Sequence, residues 1–255
     1  MPLYLNYSRG YELVEWIELN RILGAEKFNI YVESCAPNVQ DILRYYNEIG
    51  IVEVIQWPLP VERKDIHYFG QVVALQDCLY RNKEASEYIV NVDLDEFIIP
   101  HTKDVFTWKG IVNNTDAKSR SFIFRNTFFR KEWLEKTDAN NFTGNDIAEK
   151  YNLITLLLSE HETKLFPFGQ RSKYFAKTAL ATSLLIHDVV GAGVPVRVPH
   201  DVAMMHHYRN WYNYSNVEKK IKDNTVLQKY GDYLIRNVHD TWNRLPNVSF
   251  GLTHK

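Results

Sequence analysis

The chain has 255 residues, 45% of them hydrophobic and 24% charged, which is enough to bury a sizeable core and excludes disordered and fibrous classes. Its formal net charge of -1 supplies no basic field of the kind that accompanies non-specific nucleic-acid binding, so no nucleic-acid partner is expected. Cys35 and Cys78 are too few for a disulfide framework or a cysteine metal site, and a single bridge or two thiols both stay open.

The first residues, Leu3-Tyr4-Leu5-Asn6-Tyr7, read as a strand end. So abrupt a start fits a preceding segment, with targeting information or a membrane anchor upstream of Met1. No apolar stretch of the chain itself approaches the roughly 20 residues of a membrane helix. Over residues 11–23, Leu13, Trp16, Ile17 and Leu23 share a helical face, and Gly24 is its stop signal. A strand over 28–32 follows. Pro37 opens a second helix, with Leu43 and Tyr46 on one side, and Gly50 closes it before a strand over 51–55. Trp57 with Pro58 and Pro60 resembles a rigid wall, although a loop anchored by a tryptophan is the preferred reading. A helix over 70–81 then leads into a strand over 88–92. This alternation predicts an α/β fold with a mixed, mainly parallel sheet flanked by helices, in which ligands bind beyond the carboxyl ends of the strands.

That strand delivers Asp93, Asp95 and Glu96 to its end with no basic residue beside them in sequence. If extended geometry persists, Asp93 and Asp95 project to one face while Leu94 returns to the core. Two such carboxylates repel unless a cation stands between them, and oxygen ligands suit Mg²⁺ or Mn²⁺ better than a soft metal. No glycine-rich phosphate loop is present, so a bound nucleotide would rely on metal for its phosphates.

Beyond Pro100 the pattern loosens. Residues 121–129 read as a phenylalanine-rich strand, 133–151 as a polar surface loop, 153–158 as an apolar run, and 174–177 and 183–186 as strands. His187-Asp188 closes the last of these. Residues 211–244 read as mainly helical, ending at Pro246. The chain is expected to be one domain, with 1–100 as one half and 101–255, including the C-terminal helices, as the other. Sequons at Asn6, Asn113, Asn141, Asn213 and Asn247 lean toward a secretory-pathway lumen.

Several stretches together resemble glycosyltransferase family 92. They are Val14-Glu15-Trp16-Ile17-Glu18 with Leu23-Gly24, Gly70-Gln71 with Asp77-Cys78-Leu79, and Val92-Asp93-Leu94-Asp95-Glu96-Phe97. Residues 173–179, His187 and His206-His207-Tyr208-Arg209 follow in order. The resemblance implies a GT-A fold and transfer of a hexose, galactose from UDP-galactose being the best-known case, to a glycan or glycoprotein acceptor in the Golgi or secretory lumen. It further implies a Mn²⁺ (or Mg²⁺) ion on Asp93 and Asp95, Asp95 the preferred direct ligand, with His207 completing the coordination. Asn6, Arg9, Gln71, Asp93 and Arg209 would contact the nucleotide-sugar donor, and Asp77 would lie beside its cleft. For an inverting enzyme a carboxylate takes the acceptor proton. Asp188 is preferred for that base over Asp138 and Asp146, and His187 would orient it or meet the acceptor.

Plainer roles stand beside these: strand-end turn capping for Asp93 and Asp95, packed imidazoles for His187 and His207, polar groups on a helix surface for Gln71 and Asp77, and a solvent-facing or carboxylate-pairing side chain for Arg209. Two rival functions are also compatible with the pattern. One is a haloacid-dehalogenase-type phosphatase, disfavoured because Glu96-Phe97 follows the second aspartate. The other is a non-catalytic sugar- or nucleotide-binding domain of the same fold.

Overall fold

The computed structural model describes residues 2–113, 118–134, 142–210 and 219–251. Helix α1 (Gly10–Leu23) ends where Gly24 takes the left-handed conformation, its N–H returning to the Arg21 carbonyl and that of Ala25 to Asn20. The helix is buried nearly all round, glutamates included, which places it in the middle of the molecule rather than on its skin. Strand β1 (Phe28–Val32), helix α2 (Pro37–Glu48, proline in its first turn) and strand β2 (Val52–Gln56) form one βαβ unit. The two strands pair in parallel from Phe28 opposite Val52 to Val32 opposite Gln56, and Leu3 bridges Val32 in the same sense. Helix α3 (Gln71–Asn82) then leads to β3 (Tyr88–Asn91).

The remaining elements are β4 (Glu96–Pro100), α4 (Trp108–Val112), β5 (Ser119–Phe124), β6 (Asn126–Phe129), α5 (Asn145–Lys150), α6 (Ile154–Leu157) and β7 (Glu160–Glu162). After them come β8 (Lys173–Lys177), β9 (Ala181–Leu184), β10 (Val189–Gly191), β11 (Val194–Arg197), β12 (Ala203–Tyr208), β13 (Lys220–Lys222) and α7 (Thr225–Arg244).

The fold is mixed α/β, but not one mainly parallel sheet. The strands form small separate sheets, including a four-stranded β11-β5-β8-β3 and a three-stranded β4-β12-β6. Of the eight strand pairings among the described residues, three are parallel and five antiparallel. The βα alternation read correctly for β1 and β2, yet β3 pairs antiparallel with β8, a partner eighty-odd residues away that no local pattern announces.

The single strand expected over 121–129 is broken at Arg125, whose guanidinium donates to the Phe166 and Leu165 carbonyls. β5 and β6 therefore enter different sheets. The apolar run at 153–158 is largely the short helix α6, and of the long loop at 133–151 the described part holds α5; residues 135–141 lie outside the described residues. Residues 211–218 of the predicted C-terminal helix also lie outside them, and β13 precedes α7.

One apolar cluster runs from Leu3 to Trp242 and joins α1, α2, β4, β12 and α7, while a smaller one lies between α3 and β8–β9. Both thiols are free, Cys35 buried and Cys78 half-buried. Trp57 donates its indole N–H to the Phe69 carbonyl and meets Tyr31 edge-on, so it anchors the loop before α3.

Candidate active site

β3 stops at Asn91, and residues 92–95 turn directly into β4. Asp93 and Asp95 are therefore turn residues, with Leu94 between them packed against the core. The turn is closed in both directions: the Glu96 N–H donates to the Asp93 carbonyl (3.1 Å), and the Asp93 N–H donates to Glu96 Oε2 (2.8 Å). Glu96 is buried and sits opposite His207 in the β4–β12 register. The Tyr208 N–H donates to the Asp95 carbonyl (2.8 Å), pinning the turn to the end of β12.

The sequence shows no base near these carboxylates, but the fold supplies one. Lys173 opens β8 with 1% side-chain exposure, its Nζ 3.1 Å from Asp93 Oδ2 and 3.2 Å from Glu96 Oε2. Burial acts to raise Asp93, and the Lys173 ammonium overrides it, pulling the carboxyl down to about 2. Burial opposes the charge of Lys173 as well, yet Glu96 and Asp93 together hold it above its ordinary value. Glu96 is raised, because burial outweighs the ammonium and Asp93 adds to it. Asp95 is lowered in spite of burial, with the His207 ring as the principal cause.

His207 Nε2 stands 3.4 Å from Asp95 Oδ2, and Nδ1 stands 3.5 Å from Glu96 Oε1. Neither buried ring nitrogen makes a hydrogen bond to a described residue. An octahedral Mg²⁺-like ion with ligands near 2.1 Å sets neighbouring ligand atoms about 3 Å apart. The Asp95–His207 pair, an oxygen and a nitrogen 3.4 Å apart with no hydrogen bond between them, is spaced for such an ion. Asp93 is placed differently, since its Oδ2 faces Lys173.

Other elements converge on the turn. Tyr4 is raised chiefly by burial, with Tyr68, Asp93 and Asp95 adding and Arg9 opposing, so the segment before α1, the loop before α3 and the acidic turn share one neighbourhood. Arg9 Nε pairs with Glu12 (2.8 Å), Lys131 Nζ pairs with the same carboxylate (3.0 Å), and Lys131 also acts on Asp95. Asn6 has a left-handed backbone and donates its N–H to Ser34 Oγ. Gln71 is buried at the start of α3. Asp77 accepts from the Tyr31 hydroxyl (2.7 Å) and from Arg81.

Arg209, exposed just beyond β12, donates its N–H to the Phe129 carbonyl. Asp188 is exposed in the β9–β10 turn, where Oδ1 accepts the Val189 N–H (2.7 Å). The adjacent His187 bonds the Ser172 carbonyl through Nδ1 (2.9 Å); burial lowers it, and Lys173 and Asp93 act on it, so it lies near their ion pair. Asp146 lies in the first turn of α5, and Asp138 lies outside the described residues. The residues that sequence reasoning missed are Lys173, Lys131 and Tyr4. Lys173 opens the stretch 173–179 that carries part of the resemblance, but its local signal, a charge heading the apolar run Tyr174-Phe175-Ala176, gave it no role at the site.

A second polar group lies on the other face of β12. His206, fully buried and stacked on Phe129, has its Nε2 2.9 Å from His101 Nε2 and 3.4 Å from Asp223 Oδ2. His101 Nε2 is 3.8 Å from the same oxygen. Burial pushes His206 down to about 3, although Asp223 opposes it.

A mixed α/β domain that gathers carboxylates, an imidazole and cations at one strand-end turn has the organisation of a glycosyltransferase domain. The model of Glycosyltransferase family 92 matches residues 1–245, and the chain belongs to that family. Among curated relatives from Caenorhabditis elegans, it is 33% identical over 102 residues to "Beta-1,4-galactosyltransferase galt-1", covering 38% of this chain and 24% of that protein. It is 31% identical over 104 residues to "Glycosyltransferase family 92 protein F13G3.3", covering 37% and 21%. The matched part thus spans about a quarter or less of those relatives' length. Among the described residues no helix is long and apolar enough to cross a membrane.

Proposed function

We propose that this chain is the catalytic domain of a GT-A-type, metal-dependent hexosyltransferase, moving galactose from UDP-galactose to a glycan acceptor with inversion. Family membership supports glycosyl transfer, and the printed name of one relative supports galactose as the sugar moved. The observation that carries the metal dependence is the 3.4 Å gap between Asp95 Oδ2 and the unbonded His207 Nε2. Bound there, Mn²⁺ supplies the positive charge that stabilises the departing diphosphate.

The chain's own residues do the rest. Asp95 and His207 hold the ion. Lys173 keeps Asp93 ionised and the turn in place beside the donor, while Arg9, Lys131 and Arg209 offset the diphosphate charge, and Asn6 and Gln71 orient the nucleoside. As the acceptor oxygen bonds to the anomeric carbon, the bond from that carbon to the diphosphate breaks and Asp188 takes the hydroxyl proton. The sequons support action in the Golgi or secretory lumen.

The test is release of UDP from UDP-galactose by the purified chain with Mn²⁺, compared with other nucleotide sugars and with added galactosylated or fucosylated glycans. Galactose is expected to be the preferred donor sugar, and Asp95→Asn to lose Mn²⁺-dependent UDP binding while the unliganded Tm stays within about 2 °C of wild type, because asparagine keeps the side-chain volume and the turn keeps its backbone bond from Tyr208. Binding of Mn²⁺ and UDP without turnover of any nucleotide sugar would mark a non-catalytic relative.

A further inference from the structure

We infer that His101, His206 and Asp223 form a second divalent-metal site, of zinc type, separate from the Asp95–His207 pair. Tetrahedral zinc bonded at about 2.0–2.2 Å to imidazole nitrogens and a carboxylate oxygen holds its ligand atoms roughly 3.4 Å apart. The three separations here, 2.9, 3.4 and 3.8 Å, scatter around that value, so the three atoms form one compact triangle. Two imidazoles with one carboxylate are a donor set for zinc rather than for Mg²⁺ or Mn²⁺.

Protons satisfy the cluster less well. One N–H shared between the two Nε2 atoms leaves Asp223 Oδ2 without a close donor from either ring. Asp223 Oδ1 is already engaged by the Thr225 N–H (2.8 Å), which fixes the carboxylate so that Oδ2 faces the histidines. This is the outer-shell orientation that a ligating carboxylate receives. His206 cannot turn away, being fully buried with its ring stacked on Phe129 at 4.4 Å. His101 and Asp223 are only partly buried, which gives an ion a way in and leaves a fourth position for water.

The ligands come from three places: the residue after β4, the middle of β12, and the link between β13 and α7. An ion there ties the C-terminal helix to the sheet whose other face carries His207. Side chains alternate along β12, so the two sites lie back to back and load independently.

The full chain, stripped with chelator, is titrated with Co²⁺ and followed by visible absorption, and its Tm is measured with and without Zn²⁺. One equivalent of Co²⁺ is expected to give the intense bands of a tetrahedral site, and zinc near 100 times its Kd to raise Tm by about 5 °C or more. Both effects should disappear in His101→Gln and Asp223→Asn, at partly exposed positions where folding is retained, and persist in Asp95→Asn. A folded chain without the bands or the Tm rise overturns the inference. So does a signal that survives His101→Gln and Asp223→Asn but is lost in Asp95→Asn, because the ion then belongs to the other site.

Discussion

Lys173 is a buried cation between two carboxylates of the acidic turn. Replacing Lys173 by Met keeps most of the stem and leaves Asp93 and Glu96 without the ammonium between them, and removing one partner from a buried ion pair costs about 3–5 kcal/mol. Urea unfolding should show a loss of that size, and adding Glu96→Gln should restore part of it; a loss below about 1 kcal/mol would mean that water already screens the group. Glu15 poses the opposite problem. It accepts the Thr155 N–H (2.9 Å) and hydroxyl (2.8 Å), yet burial pushes it up to about 7. The folded state therefore holds this proton more tightly than the unfolded chain does. The resulting stability is fully present below the unfolded value near 4.5 and is lost as pH rises toward 7, by roughly 3 kcal/mol. Glu15→Gln keeps the acceptor oxygen without the charge, so it should be more stable than wild type at pH 8 and indistinguishable at pH 4.5 in paired urea titrations. Of these residues, Asp93 and Asp95 were legible because they end an apolar run. Lys173 was not, because it lies 80 residues from its partner and only the β3–β8 pairing brings it there.

Among the elements, α1, α2 and α3 were legible to within a residue or two, because their stop signals and faces are local. β12 was not, since it is buried at all six positions between β4 and β6 and shows no alternation of polar and apolar residues. The loop before α3 was read only as turn-rich, and it carries the clearest backbone strain. Tyr68, Phe69 and Gly70 are consecutive left-handed residues, with φ of 43°, 55° and 75°. Two of the three bear side chains, which costs about 1–2 kcal/mol each. The strain is sustained by the Tyr4–Phe69 stack at 3.9 Å and the Trp57 bond to the Phe69 carbonyl. In Gly70→Ala the new Cβ would stand 3.3 Å from both Ile66 Cδ1 and Trp57 Nε1, at a φ that only glycine takes freely. Stability should fall by about 1–2 kcal/mol. Because this loop shares its neighbourhood with Asp93 through Tyr4, calorimetric affinity for UDP with Mn²⁺ should weaken as well; an unchanged affinity would separate the loop from the donor.

At the scale of the whole molecule, α7 decides whether the chain behaves as one unit. Its buried face, from Val226 to Trp242, packs on α1 and α6, and its polar contacts reach both halves of the sequence. Glu18 in the middle of α1 accepts from Tyr46 (2.7 Å) and Arg21 (2.9 Å), and more distantly from Asn237 and Thr241 on α7. Lys229 donates to the carbonyls of Pro100, Thr102 and Val105, closing the segment that leaves β4. Because α7 covers α1 and caps β4 together, neither the first hundred residues nor the remainder has a separate core to fall back on. Unfolding followed by tryptophan fluorescence and by far-ultraviolet circular dichroism should therefore give one coincident transition. A chain ending at residue 224 exposes the apolar face of α1 and should lose that transition altogether. If the shortened chain still melts cooperatively, the first 224 residues are an independent domain and α7 is an attachment to it.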